Sequence, residues 1–131
     1  MNIEVSDGEM LDKLSILCIK RDKITDKSKL VNIEKEHKYL VNLFIGFLGS
    51  LDKSTKHKIE DLYKSLKLVN TKLWDIEDKI RTKECRQVFD KEFVDLARRV
   101  YMENDLRARI KKSINTITGS KLIEEKSYAK Y

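Results

Sequence analysis

The sequence predicts an all-α fold in which four helices form two antiparallel helical hairpins and an irregular C-terminal tail follows the last helix. Apolar residues recur every three or four positions through most of the chain, which is the period of an amphipathic helix. The 131 residues include no proline and only four glycines, so strands and long ordered loops are not expected. We expect a single domain with helices over about 7–26, 29–48, 54–86 and 91–118, and a tail over 119–131.

The first hairpin begins with a helix-capping sequence. Ser6 and Glu9 have the spacing of a capping box. In this motif the serine hydroxyl accepts a hydrogen bond from the glutamate amide, and the glutamate side chain accepts one from the serine amide. The apolar residues of this helix are Leu11, Leu14, Leu17, Cys18 and Ile24. A second helix should start near Ser28 and end at Gly46 to Ser50, where glycines weaken it. Its apolar side comprises Leu30, Ile33, His37, Leu40, Val41, Phe44 and Phe47.

The third helix has the clearest pattern in the sequence. Its apolar residues are spaced alternately by three and four positions: Ile59, Leu62, Leu66, Val69, Leu73, Ile76 and Ile80. This unbroken heptad pattern requires an apolar partner along the same seam. At about 1.5 Å per residue, a helix over 54–86 is about 50 Å long, which exceeds a compact domain of this size. We therefore expect part of it to project or to pack against a second copy of the chain.

The fourth helix is delimited by its caps. Asp90 is a good N-cap, and Gly119 is suited to close the helix. Its apolar stripe is interrupted in the middle by Asn104 and Arg107, and otherwise comprises Phe93, Leu96, Ala97, Val100, Ile110, Ile114 and Ile117.

The register of the second hairpin follows from its short link over 86–89. The third and fourth helices should be antiparallel, with the numbers of facing residues summing to about 175. This register places Glu77 opposite Arg98 and Asn70 opposite Asp105. It also leaves Arg107 without a carboxylate directly across from it.

Composition limits the classes of protein to which the chain can belong. With 40% hydrophobic and 38% charged residues, it is too apolar for a disordered chain and too charged for a membrane protein. The richest apolar stretch, Leu40 to Leu51, is too short to cross a bilayer. The N-terminus lacks the pattern of a secretory signal, so we expect no membrane association and a cytoplasmic location.

The positive charge is concentrated toward the C-terminus. Residues 98–131 carry nine basic and four acidic side chains, so five of the six net positive charges lie there. Such a segment can attract phosphates, nucleic acid or an acidic partner, or can simply be a solvated helix face. No recognised nucleic-acid motif accompanies the basic residues, so nucleic-acid binding is not expected. The residues concerned are Arg98, Arg99, Arg107, Arg109, Lys111 and Lys112.

The candidate binding site is the interrupted face of the fourth helix together with the acidic edge of the third. Arginines there would supply fork-shaped donors, and carboxylates would hold them in position, as in a cleft for an anion or a sugar. The alternative is a structural network of ion pairs between neighbouring helices. The candidate residues are Glu77, Arg98, Asn104, Arg107 and Lys111.

A metal site is a further alternative. Asp75 with Asp78, and Glu92 with Asp95, are acidic pairs at one-turn spacing, similar to those with which helical nucleotide pyrophosphohydrolases hold magnesium. Asp75 stands where that family usually has glutamate, and charged residues are frequent enough here for the pattern to arise by chance. The two cysteines form no Cys-x-x-Cys pair, and we interpret both histidines as surface residues. We expect no metal and no cofactor.

Four segments resemble an uncharacterised family of small helical proteins from bacteria and their phages, a domain of unknown function. They are Val5–Lys13, Leu73–Asp78, Leu96–Tyr101 and the Glu-Glu-Lys-Ser-Tyr sequence over Glu124–Tyr128. The resemblance implies no established reaction. An association of some members with surface-polysaccharide genes would favour the sugar cleft. The recognisable tail suggests docking onto the helices, with Tyr128 covering the bundle.

These observations lead to two functional hypotheses. The first is a non-enzymatic helical binding or assembly module that self-associates as a dimer and presents a basic polar cleft to an anionic or sugar-containing small molecule. The alternative is a small enzyme acting on a phosphorylated or sugar-nucleotide substrate at the cluster of Glu77, Arg98 and Arg107, with no catalytic residue identified.

Overall fold

The computed structural model describes residues 1–131 and contains four helices. They are α1 (Asp7–Lys23), α2 (Lys27–Gly49), α3 (Lys53–Cys85) and α4 (Lys91–Thr118). The structure is 77% helical and has no strand, which confirms the all-α prediction. No helix combines the length and the apolar character that spanning a bilayer requires.

The first two helices begin at side-chain caps. The Ser6 hydroxyl accepts a hydrogen bond from the Glu9 amide at 3.0 Å, as expected. The Glu9 carboxylate does not complete the capping box with the Ser6 amide, because it pairs with the Lys111 amine at 2.6 Å. The cap of α2 is Asp26, whose carboxylate accepts from the Ser28 amide at 2.9 Å. The helix therefore begins at Lys27, next to the expected start near Ser28.

The caps of the second hairpin follow the same chemistry. The Asp52 carboxylate accepts from the Thr55 amide at 2.9 Å, and Asp90 accepts from the Phe93 amide at 3.0 Å. Gly119 ends α4 in the left-handed conformation, with φ of 67°. Glycine adopts this conformation without the strain that a Cβ atom causes.

Helix α1 lies at the centre of the fold, because it contacts all three other helices while α3 and α4 pack along each other. A first core cluster joins α1, α3 and α4, and comprises Leu11, Ile59, Leu66, Val69, Leu73, Ile110 and Ile114. A second cluster joins α1 and α2, and comprises Leu14, Leu17, Ile33 and Leu40. Phe44 of α2 links the two clusters, with its ring 5.2 Å from that of Tyr63.

The heptad seam of α3 is buried within the chain. Leu66 is fully buried and Ile76 is 2% exposed. The residues that cover the seam come from α1 and α4, as Leu11, Ile110 and Ile114 show. A second copy of the chain is thus not needed to cover the seam, although the heptad pattern of the seam was one reason for expecting such a copy.

The register of the second hairpin lies within one turn of the expected one. Near the turn, the Lys83 amine donates to both carboxylate oxygens of Asp90 at 2.9 Å. Farther along, Asn70 contacts Arg107, two residues beyond the expected Asp105. This register brings the middle of α4 over the only asparagine buried in α3.

Candidate ligand-binding site

A buried polar cluster lies where α1, α3 and α4 meet. Asn70 is 4% exposed, and its side-chain NH2 group donates to the Asp12 carboxylate at 2.8 Å and to the Ser15 hydroxyl at 2.7 Å. An asparagine amide has two N–H donors, so both are used. The amide oxygen therefore faces the other way, where the Arg107 guanidinium donates to it at 3.4 Å. The interior of the fold thus sets the position of Arg107.

Lys111 lies one turn beyond Arg107, but its charge is used within the fold. Its amine is 2.6 Å from the Glu9 carboxylate and 3.9 Å from that of Asp12. The Lys111 side chain is only 19% exposed. A partly buried amine needs such partners, because an unpaired charge is costly to remove from water.

The N-terminus of α1 docks tightly against α4 in a region that we call the α1 junction, comprising Ser6, Gly8, Asn115 and Glu124. The Gly8 amide donates to the Asn115 side-chain oxygen at 2.7 Å. A Cβ atom on Gly8 would lie 2.7 Å from the backbone oxygen of Lys111, so only glycine fits. Asn115 and Ser6 in turn donate to the two Glu124 carboxylate oxygens, at 3.2 and 2.5 Å.

The electrostatics of the α1 junction favour an ionised Glu124. Partial burial disfavours the charged carboxylate, but hydrogen bonds from Ser6 and from the backbone amide of Glu124 itself outweigh that effect. The positive charge of Lys111 and the amide of Asn115 act in the same direction. The pKa of Glu124 is therefore lowered, and the tail stays anchored by a charged group at neutral pH.

From Glu124 the tail returns along α4 toward Tyr101. The Tyr131 hydroxyl donates to the Asp105 carboxylate at 2.7 Å, and this bond raises the pKa of Tyr131. The Tyr131 ring lies edge-on to Tyr101 at 5.1 Å. The tail docks, but the expectation that Tyr128 covers the bundle is wrong, because that side chain is 76% exposed. The polar contacts of Glu124, Glu125 and Tyr131 hold the tail instead, although Tyr131 itself remains 74% exposed.

A pocket of about 630 Å³ lies between α4 and the tail, and we call it the tail pocket. It is lined by Val100, Tyr101, Asn104, Asp105, Arg107, Lys126, Tyr128, Ala129 and Tyr131. Apolar walls with a few converging polar groups are the usual composition of small-molecule sites, and the volume is within their range.

Two cations of the tail pocket lack an acidic partner. No carboxylate oxygen lies within 4.0 Å of the Arg107 guanidinium or of the Lys126 amine. The Lys126 amine instead lies 6.0 Å from the centre of the Tyr128 ring. The tail pocket thus combines aromatic surface with unneutralised positive charge.

The chain matches a family of unknown function, DUF6165, over residues 1–131. It belongs to the DUF6165 family. The resemblance to a domain of unknown function is therefore confirmed. No solved structure and no curated protein matches the chain.

The structure brings together only part of the predicted site of this DUF6165 chain. Asn104 and Arg107 line the tail pocket, and Lys111 lines a narrower cavity beside it. Glu77 accepts a hydrogen bond from Arg81 at 3.2 Å. Arg98 is exposed and has no carboxylate within 4.0 Å, and neither Glu77 nor Arg98 lines the tail pocket.

Sequence reasoning missed the residues that the tail contributes. Tyr128, Tyr131 and Lys126 have no helical period from which their position can be read. Asp105 was expected only to face Asn70 across the second hairpin. The one available signal was the polar Glu-Glu-Lys-Ser-Tyr sequence, since a recognisable tail without a periodic pattern must make specific contacts elsewhere.

One member of each acidic pair considered for magnesium is engaged with a lysine. Asp75 lies 3.3 Å from the Lys23 amine, and Glu92 lies 3.2 Å from that of Lys83. No group of three or more His, Cys, Asp or Glu side chains is arranged to hold a metal ion.

A separate polar cluster lies between α1, α2 and α3. The Cys18 sulfur is 3.5 Å from both the His37 Nε2 atom and the Tyr63 hydroxyl. His37 is therefore partly buried, which corrects its interpretation as a surface residue; burial, and then the charge of Arg21, lower its pKa. Burial also raises the pKa of Tyr63.

Proposed function

We propose that the chain is a non-enzymatic binding module whose ligand is a small, anionic, sugar-containing molecule held in the tail pocket. The observation that carries the proposal is the combination of three tyrosines with Arg107, which has no carboxylate partner. A guanidinium in that state favours an anion, because it offers fork-shaped donors that the fold leaves unneutralised.

The neutral part of the pocket suits a sugar. Sugar rings present C–H bonds on their faces and hydroxyl groups at their edges. Tyr101, Tyr128 and Tyr131 supply apolar ring surface, while Asn104 and Asp105 supply an amide and a carboxylate that can bond hydroxyls. Tyrosine provides such surface together with a polar tip, which suits a site open to water.

The proposal is tested by calorimetric titration of the full chain with hexoses, hexose phosphates and nucleotide sugars. We expect Tyr128→Ala to weaken binding about tenfold, equivalent to about 1.4 kcal/mol. The loss of stability should be small, because Tyr128 is 76% exposed. Phe89→Ala is the matched control, since Phe89 is 53% exposed beside the turn between α3 and α4 and does not line the pocket. Equal affinity in all three proteins, or no binding by the wild type, would contradict the proposal.

The alternative is an enzyme that acts on a phosphorylated or sugar-nucleotide substrate. Its support is Asp105, the only carboxylate that lines the tail pocket, whose position is fixed by Tyr131. A positioned carboxylate can act as a general base. Product analysis after long incubation with the same compounds separates the two functions. Turnover that Asp105→Asn abolishes, with binding retained, would favour the enzyme.

Self-association is the second part of the proposal, and we assign it to the outer face of α2. Tyr39 and Leu43 lie one turn apart on this face and are 62% and 43% exposed, and residues 39–51 include no charged side chain. Two copies of a chain with net charge +6 repel each other least where charge is absent. We therefore propose that this face meets the same face of a second copy.

The oligomeric state is measured by light scattering coupled to size-exclusion chromatography. We expect twice the mass of one chain for the wild type and the mass of one chain for Leu43→Lys. Leu68→Lys is the matched control, because Leu68 is an exposed apolar residue on α3 outside this face. A wild-type protein with the mass of one chain would end the dimer proposal and leave ligand binding unaffected.

The proposed location is the cytoplasm. Cys18 and Cys85 are free thiols. Thiols persist unpaired in reducing compartments, whereas secreted proteins usually have theirs in disulfides. Fractionation of cells that produce the chain provides the measurement.

A further inference from the structure

A narrow cavity of about 50 Å³ adjoins the tail pocket, and we call it the cation cavity. It is lined by Arg107, Ala108, Lys111, Lys112, Asn115, Glu124 and Lys126. Arg107 and Lys126 line both spaces, so they form the boundary between them. A water molecule occupies about 30 Å³ in the liquid. The cation cavity therefore has no room for a sugar ring, but its size suits a single small oxyanion.

The charges around the cation cavity do not balance. Lys111 is paired with Glu9 at 2.6 Å, and Lys112 is paired with Glu125 at 3.2 Å. Both oxygens of the Glu124 carboxylate accept hydrogen bonds from neutral donors of the α1 junction, so this residue contributes one negative charge to a lining that has four cations. The two cations on the boundary with the tail pocket are thus the ones left without a carboxylate partner.

We infer that the ligand carries a phosphate group, and that this group binds between Arg107 of α4 and Lys126 of the tail while the sugar occupies the tail pocket. This inference rests on the proposed function and names the anionic part of the ligand. A phosphate monoester carries up to two negative charges and three acceptor oxygens, which matches two cations on different sides of a small cavity. Arginine contributes a planar fork, and lysine contributes a compact point charge.

Phosphate also explains why the tail is part of the site. Lys126 is exposed and its amine has no hydrogen-bond acceptor, so nothing in the protein fixes its charge. A phosphate that contacts both Lys126 and Arg107 would connect the tail to the middle of α4. The segment from Glu124 to Tyr131, which is attached through Glu124 and Glu125 near one end and through Tyr131 at the other, would then be held at a further point between them.

Matched pairs of compounds test the inference for several sugars in parallel. The full chain is titrated with glucose and glucose 1-phosphate, with N-acetylglucosamine and its 1-phosphate, and with uridine and uridine monophosphate. For at least one pair, we expect the phosphorylated member to bind about tenfold tighter. Lys126→Ala should reduce that ratio to below about threefold while leaving the affinity for the unphosphorylated member unchanged. Lys130→Ala is the matched control, because this tail lysine lines neither space.

The outcomes separate this inference from the proposed function. Equal binding of both members of every pair would overturn the phosphate inference and leave sugar binding intact. An equal effect of Lys126→Ala and Lys130→Ala would also overturn it, because general attraction by a basic tail would then explain the preference. If no compound of any pair binds, both the inference and the proposed function fail.

A second measurement follows the tail itself. Hydrogen exchange of residues 121–131 is compared with and without the tightest phosphorylated compound. We expect slower exchange in the wild type and in Lys130→Ala, and a smaller slowing in Lys126→Ala, in which only the sugar contacts the tail. A slowing in Lys126→Ala equal to that in the wild type, with both proteins saturated, would show that the phosphate does not act through this lysine and would overturn the inference.

Discussion

The α1 junction and the tail pocket adjoin on α4 but differ in how their polar groups are satisfied. In the α1 junction, the Gly8 amide, the Asn115 side chain and the Glu124 carboxylate all have partners within 3.2 Å. In the tail pocket, Arg107 has one long hydrogen bond of 3.4 Å and Lys126 has none. A polar group whose hydrogen bonds are all made within the protein stabilises the fold, whereas a group with unused donors remains available to a ligand.

The two regions also differ in how far the residues that form them are exposed to solvent. The partners in the α1 junction are buried or partly buried. The tail pocket is bounded by exposed residues of the tail, including Lys126 and Tyr128. Substitutions should therefore affect stability in the first region and ligand binding in the second.

The largest expected effect tests the apolar core beneath both regions. Leu66→Asp should unfold the chain, because it places an unpaired carboxylate at a fully buried position and costs more than about 4 kcal/mol. Leu68→Asp, at a position 58% exposed on the same helix, should change the free energy of unfolding by less than about 0.5 kcal/mol. The two variants are compared by urea denaturation followed with circular dichroism. Similar unfolding midpoints would mean that α3 is rotated about its axis, so that Leu66 does not face the core.

A smaller effect is expected within the α1 junction. Gly8→Ala should destabilise the chain by about 1–3 kcal/mol, because the new methyl group would meet a backbone oxygen at 2.7 Å. Gly46→Ala provides the opposite case, since nothing lies within 4 Å of its Cβ position and alanine favours helices by about 0.5–1 kcal/mol. Thermal melting of both variants is the measurement. A stabilised Gly8→Ala protein would show that α1 does not dock closely on α4.

The anchor of the tail should depend on pH. The pKa of Glu124 is lower in the folded chain than in the unfolded one, so its contribution is present above the unfolded value of about 4.3 and is lost as the pH falls through the folded value. Glu124→Gln should remove this dependence at a cost of about 1 kcal/mol or less, because solvent screens the group. Glu125→Gln is the control. Hydrogen exchange of the tail is followed as the pH is lowered from 6, and a loss of protection that is the same in the wild type and in Glu124→Gln would refute the anchor.

The smallest effect on stability is expected at the residue most important for binding. Arg107→Ala should lower the free energy of unfolding by less than about 1 kcal/mol, because the guanidinium is partly exposed and makes one long hydrogen bond. Asn115→Ala should cost about 1–3 kcal/mol, since it leaves the buried Gly8 amide without an acceptor. If Arg107→Ala is the more destabilising of the two in urea denaturation, Arg107 is a structural residue.

Much of the helical architecture could be predicted from local rules. The heptad of α3 predicted the buried seam, because its period matches the helix, and Ser6, Asp90 and Gly119 marked helix ends through side-chain and backbone chemistry. The short link of the second hairpin placed the register to within one turn, as the Asn70–Arg107 contact shows.

The candidate site was less predictable, because it depends on contacts between distant segments. The expected site included Glu77, whose carboxylate instead accepts a bond from Arg81 of the same helix. Glu9 has the spacing of a capping box, yet it pairs with Lys111, from which it is separated by most of the chain. Nothing in the local sequence indicates that Glu124 bonds to Ser6. An extended segment follows no helical period, so its position is decided by tertiary contacts alone.

The bond between Ser6 and Glu124 joins residues that are 118 positions apart, and it has a consequence for the time at which the pocket forms. A loop of this length is costly to close on its own, so the bond should form only after packing has brought α1 and α4 together. Until then Glu124 is not held, and one wall of the tail pocket is not in place. The chain would therefore acquire its helical packing before its binding site, so that ligand binding would report the last contacts to form.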